Sequence, residues 1–152
     1  MKKIFLILFI ILTIAPCARA EKYPVKITPA QIISTHHDAI QSGDWIRFKT
    51  VNDVYVNNQL YIAKNTPVIG IVDQIHQNGF YIDNAEIKFE RFITKTVTNK
   101  RVEINQTLYL NRKDYLTKSF GDKIVKYIGV VFRGSEILIE PESMVYNIFL
   151  EK

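Results

Sequence analysis

Three histidines, His36, His37 and His76, are the residues in this chain most able to hold a metal ion or pass a proton. Adjacent His36 and His37 point to opposite sides of an extended chain, so they cannot easily share one metal. Asp38 beside them completes a site only with a distant ligand such as His76. Solvated polar residues ahead of the first strong strand are the simpler account. Ser119 has Lys118 as a neighbouring base, but adjacent residues on a strand do not face each other, and no Gly-x-Ser-x-Gly elbow surrounds it. Gly121-Asp122 reads as a turn instead. Glu86, Lys88 and Glu90 share one face of a strand, with neighbouring side chains roughly 7 Å apart. A carboxylate pair on a strand suits glycoside hydrolysis. The acid catalyst would need a raised pKa, whereas Lys88 between the two holds both ionised. No catalytic residue, no metal-ligand set and no cofactor is predicted.

Aromatic side chains supply the remaining recognition chemistry. The chain has one tryptophan, eight tyrosines and nine phenylalanines. Trp45, Tyr55, Tyr61, Tyr81, Tyr109 and Tyr115 fall at strand ends or on the less apolar face, where exposed rings can make a platform for a glycan or a peptide. Most tyrosines in a small β-domain are core or cross-strand pairs. Trp45 lies opposite Ile46 and Phe48 on its strand and is the residue predicted to bind a partner, because interface energy concentrates in aromatic and Arg anchors. The competing reading places Trp45 in the core. Asn105-Gln106-Thr107 is a formal glycosylation sequon, a coincidence if the chain is bacterial.

Positioning such residues falls to a domain that is made for export. Lys2 and Lys3 precede an apolar run over residues 4–14, and Ala18-Arg19-Ala20 forms a small-x-small cleavage site after Pro16. That order predicts a signal peptide over residues 1–20, cut after Ala20. Cys17 follows Pro16 rather than a small residue, so it is expected to leave with the leader and not to carry lipid. The mature chain of 132 residues then has no cysteine, which excludes disulfides, thiol nucleophiles and thiolate metal sites together. Loss of Lys2, Lys3 and Arg19 takes the net charge from +5 to +2. The densest basic stretch, residues 95–101, holds three positive charges, too few for a nucleic-acid-binding stripe.

Most of the mature sequence carries strand signals. Residues 85–90 alternate small or apolar with charged at period two, as a strand does with one face on a core and one in water. Phe89 and Phe92 are three apart, which predicts a bulge between them. Residues 68–72 are apolar on both faces and are placed centrally, with Gly70 where a bulky group comes close. Further short runs cover 45–50, 54–56, 59–62, 80–82, 102–104, 107–110, 136–139 and 144–150. Asn57-Asn58, Asn78-Gly79, Asp83-Asn84, Asn99-Lys100 and Gly134-Ser135 punctuate them, and Asn and Gly tolerate positive φ. Turns every ten residues or so predict an all-β fold, a small barrel or sandwich of roughly 8–10 short strands. A short N-terminal helix over residues 28–33, with Pro29 in its first turn, competes with a loose lead-in. The expected organisation is a lead-in over 21–42 followed by a single β domain over 43–152. Residues 123–128 read as helix or strand, with their β-branched content favouring strand.

Leu60 to Val72 reads L-Y-I-A-K-N-T-P-V-I-G-I-V. This resembles the strand-corner-strand in the periplasmic β-barrel domain of outer-membrane core proteins of type IV secretion systems. The likeness covers about thirty residues, including the turn and alternating strand that follow. It departs at Asn65, where the pattern prefers Gly; Asn is the natural substitute at positive φ. The chain lacks the Pro-rich stretch and inner-membrane helix of those proteins, so the resemblance implies an architecture and no functional residue. Residues 58–68 also line up with 135–145, each a turn, an apolar triplet, a polar corner ending in Thr or Ser, and a new strand. A duplicated half-barrel would explain this, as would two uses of one common corner.

Export, β architecture and the lack of a catalytic constellation together predict a soluble, non-catalytic protein of the cell envelope, periplasmic or secreted. Its partner is expected to be a protein or a glycan, with neither nucleic acid nor a membrane anchor once the leader is cut. Two other classes compete. An outer-membrane barrel needs strands of ~10 residues alternating over their full length, and most runs here are shorter. A secreted enzyme would have to assemble its site from distant residues.

Overall fold

The computed structural model describes residues 20–36, 39–78, 84–111 and 136–152. Among these the protein is all-β, with no α-helix. The strands are β1 (Lys22–Pro29), β2 (Ile33–Ser34), β3 (Trp45–Thr50), β4 (Val54–Val56), β5 (Gln59–Ile62), β6 (Pro67–His76), β7 (Glu86–Lys95), β8 (Arg101–Asn111), β9 (Leu138–Ile139) and β10 (Tyr146–Glu151). Six form one antiparallel sheet in the order β10-β1-β3-β6-β7-β8. The sheet curls until its outer strands meet, and the Phe149 N–H on β10 donates to Gln106 Oε1 on β8 at 2.5 Å. The result is a nearly closed small barrel. Such closure protects sheet edges that would otherwise pair with other chains.

Period-two alternation builds this barrel. On β3, Ile46 and Phe48 turn inward while Trp45 and Arg47 turn out; on β10, Tyr146, Ile148 and Leu150 are inside. At the centre Phe48, Phe89 and Phe92 meet with ring centroids 5.6–5.9 Å apart, two contacts edge-to-face and one stacked. Gly70 on β6 sits beneath them. A Cβ built there would lie 2.9 Å from Phe48 Cε2 and 3.0 Å from both Phe89 Cδ1 and Phe92 Cε1, so the close approach expected at Gly70 is made by three rings. The expected bulge is present too. Register shifts between Phe89 and Arg91, and both Phe89 and Phe92 are fully buried.

The corner at Asn65 shows why a polar sequence interrupts two apolar runs. Asn65 has φ +63°, and its N–H donates to Thr50 O at 2.9 Å. Fully buried Thr50 donates its hydroxyl to Ala63 O at 2.8 Å and accepts the Thr66 N–H at 2.9 Å, which leaves no buried polar group unpaired at the bend. Before β10 the same device recurs. Glu142 has φ +61°, its N–H donates to Pro29 O, and Ser143 Oγ donates to Glu140 O at 2.6 Å just as Thr66 Oγ1 donates to Ala63 O at 2.6 Å. The two aligned stretches therefore form one kind of corner; the turn expected at Gly121-Asp122 lies outside the described residues. Asn65→Gly is expected to melt with the wild type, while Asn65→Val, β-branched in the left-handed region, should lose ~1–2 kcal/mol. Thermal denaturation of the two variants checks this.

Two expectations about the N-terminal part are corrected. Residues 28–33 form no helix: β1 runs through Pro29, the Thr28 hydroxyl donates to Met144 O at 2.7 Å, and the Ala30 N–H donates to Arg47 O. Strand pairing on both sides outweighs the local helix-start signal. Nor is 21–42 a lead-in, since β1 lies between β10 and β3 and buries Val25 and Ile27 completely. Runs 102–104 and 107–110 are one continuous strand, β8. Asn57 and Asn58 both take positive φ, as a two-residue hairpin between β4 and β5 requires. The stretches at 80–82 and 123–132, together with Tyr81, Tyr115 and Ser119, lie outside the described residues.

Candidate functional site

The outer face of β6, β7 and β8 carries three irregularities at one level. On β6, Val72 is opposite Phe89 and Gln74 opposite Lys88, so Asp73 has no partner residue. On β7, Ile71 pairs Arg91 and Val72 pairs Phe89, so Glu90 is unmatched on that side. On β8, Phe89 pairs Leu108 and Arg91 pairs Asn105, so Gln106 and Thr107 together face Glu90. Bulges bend strands and re-aim side chains. Stacked on three neighbouring strands, they open a cleft of about 580 Å³ lined by Asp73, Glu90, Arg91, Asn105, Gln106 and Thr107, with Ile71 in its floor.

Trp45 borders this cleft through its register. Its Cα partner is Ile71, whose other neighbour is Arg91, which in turn pairs Asn105. These four residues form one row across the outer face. The turn before β3 fixes the start of the row: Gly43, at φ +90°, donates its N–H to Val72 O at 2.8 Å, and Val72 N–H donates to Asp44 O at 2.9 Å. The side chain of Trp45 is nonetheless free, for the residue is 68% exposed. The competing placement of Trp45 in the core is thereby corrected; Ile46 and Phe48 take the inward positions. Along the same face, Ile69 and Ile93 lead into a second groove of about 570 Å³ beside Pro67.

Glu86, Lys88 and Glu90 lie on the outer face as the alternation predicts, with Ile87 and Phe89 buried between them. Lys88 is less open than its neighbours, at 18% side-chain exposure, because its ammonium lies 2.8 Å from Asp73 Oδ2 and 2.6 Å from Glu90 Oε1. The bond to Asp73, then that to Glu90, hold the Lys88 pKa well above the usual lysine range, against an opposing effect of burial. A pKa raised by folding gives stability that is complete below the unfolded value, about 10.4, and lost as pH rises through the folded one. Lys88→Met is therefore expected to be less stable than wild type from neutral pH to about pH 9, with the gap narrowing above about pH 10. Urea denaturation across that range tests it; a pH-independent gap would mean that only the lysine stem matters.

The histidines are not gathered. His36 Nδ1 lies 2.7 Å from Glu136 Oε2, His37 and Asp38 lie outside the described residues, and His76 sits at the end of β6 opposite Glu86. Among the described residues no three His, Cys, Asp or Glu side chains come together as metal ligands. Tyr55 and Tyr109 are exposed on β4 and β8, whereas Tyr61 is half-covered, with Lys152 Nζ 3.9 Å from its ring centroid. Arg91 was absent from the sequence-based candidates. Its side chain forms no hydrogen bond or ion pair with another described residue, and its only sequence signal is the phase break after Phe89. No family model, curated protein or solved structure matches the chain.

Proposed function

We propose that this is an exported, soluble, non-catalytic β-domain of the cell envelope that binds a protein or glycan partner on the face formed by β3, β6 and β7. The observation that carries this reading is the sole tryptophan lying open on that face, in one row with Ile71 and Arg91 beside the cleft. Burying a large ring at a contact contributes far more than leaving it in water. Arg47, Arg91, Lys95 and Glu103 on the same outer surface count against a lipid-facing band and so against an outer-membrane barrel.

Two measurements test the reading. Intact mass of the exported protein should correspond to a chain starting at Glu21 with no lipid; a modified Cys17 at the N-terminus would overturn the soluble assignment. Mature protein immobilised through its C-terminus should retain a saturable partner from envelope extracts, and a Trp45→Ala column should not. Equal retention by both columns would remove this face from the function.

A further inference from the structure

We infer that the cleft over the stacked bulges is a saccharide site for a neutral, hydroxyl-rich chain, with one sugar ring laid against Trp45. This deepens the proposed binding role and rests on it. Within the cleft β6 lies between β3 and β7, and β7 between β6 and β8, so these two strands offer no free backbone edge; the one sheet edge beside the cleft is that of β8, whose far side meets β10. Over β6 and β7 recognition has to come from side chains. Those present are mixed in kind: Asp73 and Glu90 accept, Arg91 donates, the Asn105 amide and Thr107 hydroxyl do both, and Gln106 keeps its NH₂ because Phe149 uses its oxygen. A hydroxyl both donates and accepts, so a ring of hydroxyls can satisfy every member of this set. An apolar partner would leave most of them desolvated and unpaired.

Charge points the same way. Two carboxylates in the cleft are offset by Arg91 and by the Lys88 ammonium bonded to both of them, which leaves no excess of either sign to select a charged ligand. The volume of about 580 Å³ falls within the range of small-ligand sites. Beside the polar cleft, Trp45 and Ile71 supply the apolar plate on which the C–H face of a sugar ring can lie.

The single tryptophan makes its own reporter. Mature protein would be titrated with tetra-N-acetylchitotetraose, cellotetraose and, as the charged comparison, tetragalacturonate, following tryptophan emission and calorimetric heat. At least one neutral tetrasaccharide should shift the emission to shorter wavelength, saturably, and bind more tightly than the acid. Arg91→Ala and Asn105→Ala should each weaken that binding about tenfold or more while circular dichroism and melting stay unchanged; Thr107→Val provides a second probe of the cleft should either fail to fold. Silence from both neutral sugars at millimolar concentration, tighter binding of the acid, or binding indifferent to all three variants would overturn the inference. If the sugars fail but Trp45 is still required to capture an envelope protein, only the saccharide assignment falls. If that capture fails as well, the binding role falls with it.

Discussion

Trp45→Ala is expected to melt with the wild type and to lose its partner. The indole is 68% exposed, so its removal leaves no cavity and should change stability by only about 0.5 kcal/mol in either direction. At an interface the same truncation would act as a hot spot, costing at least about 2 kcal/mol, roughly thirtyfold in affinity. The contrast with a core tryptophan is large, since deleting a buried one costs ~3–5 kcal/mol of folding stability. Melting curves and partner titration on the same preparation separate the two. A strongly destabilised variant would show that Trp45 is packed in solution. A stable variant that binds normally would show that the row Trp45–Ile71–Arg91 is not where contact is made.

Phe92→Ala should have the largest effect on folding, ~3–5 kcal/mol, because Phe92 is fully buried and touches two other rings. For a domain of this size that lowers the melting temperature by roughly 10–20 °C. Gly70→Ala should destabilise by a different route. Its new Cβ would meet Phe48, Phe89 and Phe92 at 2.9–3.0 Å, and overpacking of that kind costs ~1–3 kcal/mol. Combining the two substitutions gives the sharper test. Removing the Phe92 ring frees the space that the Gly70 methyl needs, so the double variant should lose less than the two single losses added together. Residues in contact show such coupling, whereas distant ones add. Strict additivity, measured by urea denaturation, would mean that Gly70 does not lie under the rings.

The resemblance at residues 60–72 to type IV secretion barrel domains led to an expected corner at Asn65, and Asn65 does turn the chain there with positive φ. Local chemistry sufficed for this corner because φ is a property of one residue and its neighbours.

How much of the fold could be read from residues alone follows the range of the forces involved. The period-two alternation of β3 and residues 85–90, the Asn57-Asn58 hairpin and the break between Phe89 and Phe92 are set by a residue and its near neighbours, so each is legible in one dimension. The strand identity of residues 22–29 is not. Thr28-Pro29 carries a helix-start signal, and it is overridden by their pairing with β3 and by the pairing of the preceding residues 22–27 with the distant β10. The cleft is less legible still. Asp73, Glu90 and Gln106 are polar residues in three unremarkable runs, and they become neighbours only when the register of β6, β7 and β8 brings three bulges to one level. The exposure of Trp45 is decided in the same way. Alternation assigns Ile46 and Phe48 to the other face of β3, but which face is the inside depends on how the whole sheet closes, and closure is a long-range choice that buries the most apolar surface at once.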